Sequence, residues 1–140
     1  LYCTIIYPDI EIKTSEARAI LPDYVPLKDM ISQTGNIASL IYGLSTSNYD
    51  LISRSLNDVV IEPVRSKLIT GYNEIKKAAI DAGALGSSIS GSGPSLFALS
   101  NSESVANKIA ADTKAVVDSF GIDSVTYVSK INEVGPKILD

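Results

Sequence analysis

The sequence predicts an α+β domain in which an antiparallel β-sheet carries helices packed on one face. Three observations support this prediction. The chain has 140 residues, the length of one typical domain. Its residues are 45% hydrophobic and 20% charged, which supplies enough apolar material for a packed core. Strand-like and helix-like segments follow one another in the order strand, several helices, strand, strand, helix, strand.

The first predicted elements are a strand and a short helix. Residues 1–7 are rich in Ile, Tyr and Thr and end at Pro8, a pattern typical of a strand followed by a turn. The segment Thr14–Glu16 is suited to cap a helix over Ala17–Leu21. Pro22 ends that helix, because proline cannot continue it.

Two longer helices are predicted next. Pro26 begins a pattern with apolar residues at helical spacing, which Gly35 either kinks or divides into two helices. Asn48 caps the following helix, and Asp58–Arg65 is predicted as a bend or a helix join around Pro63. The apolar residues of both helices are expected in the core, including Ile37, Ile41, Leu44, Leu51 and Leu56.

The second half of the chain begins with a strongly amphipathic helix. Its apolar residues run from Leu68 to Ala82, and Gly83 closes the pattern. Two short strands are predicted after it, Ser87–Ser90 and Ser95–Ser100, on either side of a glycine-rich loop.

The last predicted elements are one helix and one strand. Ser100 and Glu103 have the spacing of a capping box and open a helix that ends near Phe120. Ser124–Ile131 is the last strand, and Asn132–Asp140 is a polar tail. The complete order resembles a ferredoxin-like motif with extra helices in its first crossover.

Composition excludes several classes of function. The chain has no histidine, so the commonest general base and zinc ligand are missing, and chemistry must use carboxylates, hydroxyls, arginines or backbone amides. A net charge of −4 without a Lys/Arg cluster argues against nucleic acid as a partner. No run of about eighteen apolar residues is present, which argues against a membrane partner. The single cysteine, Cys3, is expected as a small core residue and fits a reducing compartment.

The glycine-rich loop contains Gly91, Ser92 and Gly93. These small residues let the backbone adopt positive φ and come close to a phosphate or to another chain. The segment lacks the Gly-Lys-Ser/Thr of a Walker A loop, and Pro94 and a strand follow it where a dinucleotide fingerprint would open a helix. Spacing alone favours a tight connection between two strands.

Three segments resemble one family of enzymes. Ala82–Phe97 is similar to the third motif of the GHMP small-molecule kinases. Tyr7–Pro22 and Asn57–Arg65 resemble two segments of the homoserine kinases within that superfamily. Together the three matches occur in the family's order and cover most of the chain. The resemblance implies ATP-dependent phosphorylation of the hydroxyl of L-homoserine, with Mg²⁺, in threonine biosynthesis in the cytoplasm.

The resemblance also implies that residues 1–140 are a C-terminal domain without its N-terminal ATP-binding domain. The family's nucleotide loop, Pro-x-x-x-Gly-Leu-Gly-Ser-Ser, belongs to that other domain and does not occur in this sequence. The chain starts at Leu1 directly in strand-like sequence, which favours a fragment. We therefore expect this domain alone to bind neither ATP nor Mg²⁺, to be inactive, and to self-associate weakly through the surface that cutting exposes.

The resemblance assigns Arg18 and Arg65 to the carboxylate of L-homoserine. A guanidinium group suits this role because its planar fork pairs with two oxygens at once. Thr14 precedes Arg18 by one helical turn, so its hydroxyl either faces the same pocket or caps the helix, and the two roles are compatible. From spacing alone, surface arginines or structural ion pairs would be the better interpretation.

The loop Gly91-Ser92-Gly93 is expected to pack beside the phosphate loop of the missing domain. We predict no catalytic residue and no metal ligand in this chain. Asp58 and Glu62 are interpreted as solvated acids around the Pro63 turn and not as an acid–base pair. Three alternatives remain open: half of another GHMP kinase, a stand-alone ferredoxin-like module that binds an amino acid, and a purely structural domain.

Overall fold

The computed structural model of the protein describes residues 1–135 and 138. Within them the chain forms four strands, six α-helices and one short 3-10 helix. The strands are β1 (Tyr2–Pro8), β2 (Gly86–Ile89), β3 (Leu96–Ser100) and β4 (Ser124–Lys130). The helices are α1 (Thr14–Ala19), α2 (Leu27–Thr46), α3 (Tyr49–Ser55), α4 (Glu62–Arg65), the 3-10 turn (Ser66–Leu68), α5 (Tyr72–Asp81) and α6 (Glu103–Ser119).

The strands form one sheet with the order β2-β3-β1-β4, and all neighbours are antiparallel. This order and the helices between the strands confirm the predicted ferredoxin-like α+β fold. In the sheet, Ile6 lies opposite Leu96 on one side and opposite Thr126 on the other. Residues paired in this way point to the same face, so the register fixes which side chains meet the helices.

Helices α5 and α6 cover the face that carries Ile6 and Leu96. Both side chains are fully buried and pack with Ile75 of α5 and Val117 of α6. The hydroxyl of Thr4 on the same face donates a hydrogen bond of 3.0 Å to the carbonyl of Ala106 in α6. This core holds the sheet and the two helices as one unit.

Helix α3 lies against the opposite face, at the edge strand β2. A Cβ at Gly86 would lie only 2.4 Å from Cδ2 of Leu56, so Leu56 occupies the space that a side chain there would need. Gly86 is paired with Leu99, which is paired with Cys3, so these three residues share the face that α5 and α6 leave open. At the other end of this face, Tyr7 and Tyr127 are exposed.

Helix α2 runs unbroken through Gly35, and most of its apolar residues are exposed. Leu51 is buried as predicted, but the exposed fractions of Ile37, Ile41 and Leu44 are 54%, 62% and 40%. The predicted core position of these three residues is therefore wrong within the described chain. Helical spacing identifies an apolar face, but it does not identify the element that covers that face.

The apolar face of α2 predicts weak self-association of this chain. We expect sedimentation velocity to show a concentration-dependent rise in mean mass, because an exposed patch of this kind favours association. Ile41→Glu should lower the association, whereas Ile80→Glu, at an exposed position on α5, should leave it unchanged. A chain that stays monomeric at the highest concentration would contradict the expectation.

The helix caps agree with the sequence in one case and differ in another. The Oδ1 atom of Asn48 accepts a hydrogen bond of 3.0 Å from the backbone N–H of Leu51, as predicted for the start of α3. Helix α6 is capped by Ser102 and not by Ser100, so the predicted capping box is wrong. Ser100 cannot serve as the cap because it is the last residue of β3.

One further difference concerns the start of a helix, and one predicted segment is described only in part. Helix α5 begins at Tyr72 and not at Leu68, since Gly71 adopts a φ of +72° between the 3-10 turn and the helix. The polar tail Asn132–Asp140 lies partly outside the described residues. Among the described residues, no helix has the length and apolar character needed to cross a bilayer.

Candidate functional site

The side chain of Arg65 connects three segments that are distant in sequence. Its Nε donates a hydrogen bond of 3.2 Å to the carbonyl of Ala17 in α1. Its Nη1 donates a hydrogen bond of 3.0 Å to the carbonyl of Gly91 in the loop between β2 and β3. Helix α1, helix α4 and the glycine-rich loop therefore meet at one guanidinium group.

Local sequence explains how α4 is formed at this place. The Oδ1 atom of Asp58 accepts hydrogen bonds from the backbone N–H groups of Val60 and Ile61, at 2.9 and 2.8 Å. These bonds shape the turn that leads into α4, in the way that Asp side chains stabilise turns. Pro63 lies in the first turn of the helix, where a backbone N–H would have no acceptor within the helix, so its absence breaks no helical hydrogen bond. Arg65 is the last residue of α4, so its side chain leaves the helix towards α1 and the loop.

Arg18 and Thr14 lie on α1, one residue after and three residues before Ala17, whose carbonyl accepts a hydrogen bond from Arg65. Both side chains are exposed, and neither makes a side-chain hydrogen bond within residues 1–135. Their spacing of four residues places them on one face of the helix. The N-cap of α1 is Lys13 and carries no side-chain cap, so the capping role considered for Thr14 is wrong.

The glycine-rich loop is a tight connection between β2 and β3, as its spacing predicts. Gly91 and Gly93 have φ values of +64° and +82°, a region that favours glycine. A Cβ at Gly93 would lie 3.2 Å from Cδ1 of Ile69 and 3.5 Å from Cδ1 of Ile12, whereas the space around Gly91 is open. Ser92 lies between them, partly buried. The loop is therefore shaped by backbone conformation at Gly91 and also by close packing at Gly93.

A buried polar cluster lies next to this site and was missed by the sequence interpretation. The exposed fraction of Glu62 is 9%, so it is not a solvated acid, and that interpretation is wrong. Its Oε1 forms an ion pair with Nζ of Lys76, and its Oε2 accepts a hydrogen bond of 2.6 Å from the hydroxyl of Ser88. The sequence carries no signal for these contacts, because Lys76 and Ser88 belong to α5 and β2.

The electrostatics of the site favour an anion. Arg65 lies here, and Arg18 directly follows Ala17, whose carbonyl accepts a hydrogen bond from Arg65, although the net charge of the protein is −4. The nearest carboxylate on α4, Glu62, is offset by Lys76. A guanidinium group has five N–H donors, and the two backbone carbonyls use only two of those of Arg65. The remaining donors can pair with a carboxylate or phosphate.

The phenol of Tyr72 lies beside this cluster. Burial and, after it, the negative charge of Glu62 raise the pKa of the Tyr72 hydroxyl. Within the described part of the chain, that hydroxyl is buried without a hydrogen-bond partner. A raised pKa in the folded state means that neutral Tyr72 favours folding below the unfolded pKa of about 10, and that this contribution is lost as the pH rises above it.

Replacing Tyr72 with Phe therefore has a predictable effect on stability. We expect Tyr72→Phe to be at least as stable as the unchanged chain at neutral pH, by up to about 1 kcal/mol, because it removes an unpaired buried hydroxyl. Its free energy of unfolding should also fall less between about pH 9 and pH 11 than that of the unchanged chain. Chemical denaturation at several pH values measures both effects, with Tyr127→Phe on the exposed sheet face as the control. If the free energy of unfolding fell equally with pH in Tyr72→Phe and in the unchanged chain, the expectation would be contradicted.

Neither Cys3 nor a group of metal-ligating side chains forms a further site in the described residues. Cys3 is partly buried, and burial raises the pKa of its thiol, which disfavours a reactive thiolate at neutral pH. Within residues 1–135 and 138, no three His, Cys, Asp or Glu side chains are grouped so that they could hold a metal ion. The arrangement at Arg65 is thus the candidate site, and the free donors of its guanidinium are suited to a small anion.

Comparison with known proteins identifies relatives over nearly the whole chain. The family described as GHMP kinases C terminal matches residues 40–118. A protein of Chlorobium phaeobacteroides named homoserine kinase is 47% identical over 99% of this chain and 44% of its own length. This chain thus spans less than half the length of that curated relative.

Two solved structures have the same fold. The crystal structure of homoserine kinase from Cytophaga hutchinsonii matches with a TM-score of 0.95 and 49% identity, over 99% of this chain and 44% of that one. A putative homoserine kinase from Listeria monocytogenes matches with a TM-score of 0.57 and 17% identity, over 90% of this chain and 40% of that one. The second likeness concerns the fold alone.

Proposed function

Since the chain belongs to the GHMP kinases C terminal family, we propose that it forms the acceptor-binding part of a kinase that phosphorylates L-homoserine. The intact enzyme transfers the γ-phosphate of ATP to the side-chain hydroxyl of L-homoserine in threonine biosynthesis. Relatives named homoserine kinase, at 47% and 49% identity, support this choice of acceptor. The observation that carries the proposal is the position of Arg65 between α1 and the glycine-rich loop.

In this proposal Arg18 and Arg65 bind the carboxylate of L-homoserine. Arg65 is already oriented by two backbone carbonyls, so little freedom is lost when its other donors meet the substrate. Arg18 lies next to Ala17, whose carbonyl Arg65 contacts, and supplies a second positive charge. Thr14 lies one turn away, with its hydroxyl available to the same ligand.

The glycine-rich loop contributes geometry to the reaction. Phosphoryl transfer depends mainly on positioning and on stabilising negative charge, so a rigid loop is useful without forming a bond. The carbonyl of Gly91 accepts a hydrogen bond from Arg65 and so holds the Gly91-Ser92-Gly93 loop close to the guanidinium. We propose that the loop packs beside the phosphate-binding loop of the N-terminal domain, so that the acceptor hydroxyl is held at a fixed place relative to the nucleotide.

ATP and Mg²⁺ belong to the intact enzyme in this proposal. When bound, ATP supplies the phosphoryl group and Mg²⁺ offsets charge on the phosphates. This chain offers guanidinium groups, hydroxyls and backbone amides for the acceptor side, and we propose that the N-terminal domain binds the nucleotide with its metal. The chain alone should therefore be inactive.

The test is an acceptor comparison with the full-length protein that contains this chain. With ATP and Mg²⁺, we expect release of ADP that depends on L-homoserine, with kcat/KM at least about a hundredfold above that for mevalonate or galactose. Higher activity with another acceptor, or no acceptor-dependent ADP release, would overturn the proposal.

Titration of this chain alone distinguishes the kinase from a stand-alone amino-acid-binding module. We expect weak binding of L-homoserine, because half of a site offers only part of the contacts. Micromolar affinity in isothermal titration calorimetry, together with no kinase activity of the full-length protein, would favour the binding module.

A further inference from the structure

The two charged residues of α4 are held at opposite ends of a single helical turn. Glu62 is its first residue and Arg65 its last. A helix of four residues has almost no stability of its own, because nucleating a helix is unfavourable. The orientation of Arg65 must therefore come from contacts that α4 makes with other elements.

Besides the turn held by Asp58, Glu62 provides contacts of this kind at the start of α4. One carboxylate oxygen is paired with Lys76 of α5, and the other accepts the hydrogen bond from Ser88 of β2. The side chains of Lys76 and Glu62 are only 26% and 11% exposed. Among the ion pairs of the described residues, the others join residues three or four apart and are largely exposed. Glu62–Lys76 is the pair that links separate elements, and it is the least screened by solvent.

The contacts at the two ends of α4 form a closed ring with β2. Ser88 lies three residues before Gly91, on the strand that leads into the glycine-rich loop. Glu62 fixes the start of α4 to this strand, and Arg65 fixes the end of α4 to the loop that follows it. A displacement of Glu62 would therefore move the guanidinium relative to both the carbonyl of Ala17 and that of Gly91.

We infer that Glu62 is a positioning residue for acceptor binding, which acts by holding α4 so that the guanidinium of Arg65 faces the substrate carboxylate. This inference rests on the proposed function. We assign Glu62 no contact with the substrate, because its carboxylate is buried and pairs with Lys76 and Ser88. Its role differs from that of a surface acid, whose charge would have little effect on a neighbouring site.

The experiment replaces Glu62 with Gln in the full-length protein. Glu62→Gln keeps the size of the side chain but removes the charge that pairs with Lys76. We expect KM for L-homoserine to rise about tenfold, while kcat and KM for ATP change less than about twofold. If Glu62→Gln does not fold, Ser88→Ala removes one contact of the carboxylate and should raise KM for L-homoserine about threefold.

Two controls separate positioning from a general loss of stability. Ile109→Val truncates a fully buried side chain of α6 and should lower the melting temperature without changing KM. In an Arg65→Lys background, Glu62→Gln should raise KM for L-homoserine further by less than about twofold, because its effect passes through Arg65.

The outcomes for the positioning role and for the proposed function are distinct. An unchanged KM in folded Glu62→Gln, or effects of Glu62→Gln and Arg65→Lys that multiply, would overturn the positioning role. Absence of L-homoserine-dependent activity in the unchanged protein would instead overturn the proposed function.

Discussion

Replacing Arg65 with Lys is expected to raise KM for L-homoserine about a hundredfold in the full-length protein. The guanidinium of Arg65 donates to the carbonyls of Ala17 and Gly91 and still has donors for a carboxylate. A lysine ammonium is a compact charge and cannot reproduce this planar set of contacts. The loss of two or more charge-assisted hydrogen bonds is consistent with an effect of this size. Steady-state kinetics with saturating ATP measure it.

Arg54 provides the matched control for this substitution. It is the third arginine of the chain, lies exposed on α3, and is not among the residues that meet at Arg65. Arg54→Lys should leave KM for L-homoserine unchanged. If Arg65→Lys also left KM unchanged while the protein stayed folded, the assignment of Arg65 to the substrate carboxylate would be wrong.

Replacing Gly93 with Val is expected to lower kcat about a hundredfold. Gly93 has a φ of +82°, which a β-branched residue adopts only under strain. Its Cβ would also lie 3.2 Å from Cδ1 of Ile69 and 3.6 Å from Cγ2 of Ile89, so the additional methyl groups must displace their neighbours. Moving the loop changes the distance between acceptor and nucleotide, and small misplacements of reacting groups have large effects on rate.

Gly121 separates backbone strain from the shape of the loop. It also has a positive φ, of +70°, but a Cβ there meets no atom within 4 Å. Gly121 lies between α6 and β4 and is not among the residues that meet at the guanidinium of Arg65. We expect Gly121→Val to lower stability without changing kcat. Unchanged kinetics in a folded Gly93→Val protein would mean that the loop does not shape the reacting geometry.

Much of the fold was predictable because it depends on local patterns. The strand β1 ends at a proline, the strands β2 and β3 flank a glycine-rich turn, and Asn48 caps α3 as its position suggests. Each of these features is set by residues a few positions apart. The exposed face of α2 was not predictable, because the burial of Ile37 and Ile41 depends on an element outside their own helix.

The candidate site was predictable only in part. Arg18, Arg65 and the glycine-rich loop were selected by resemblance, and in the structure the guanidinium of Arg65 contacts the carbonyl of Gly91 in the loop and that of Ala17, the residue before Arg18. The partners of that guanidinium are backbone carbonyls. Every residue has this group, so the sequence does not show which carbonyls Arg65 contacts. The burial of Glu62 was missed for a related reason, because acids beside a proline turn are usually solvated.

The most direct test of the central claim removes the carboxylate from the substrate. The compound 3-aminopropan-1-ol is L-homoserine without that group, and it keeps the hydroxyl that would be phosphorylated. We predict that the full-length protein loses at least about a hundredfold in kcat/KM with this compound, and that Arg65→Lys has little further effect on it. Equal kcat/KM for the two compounds, or an equal loss on both in Arg65→Lys, would contradict recognition of the carboxylate by this domain.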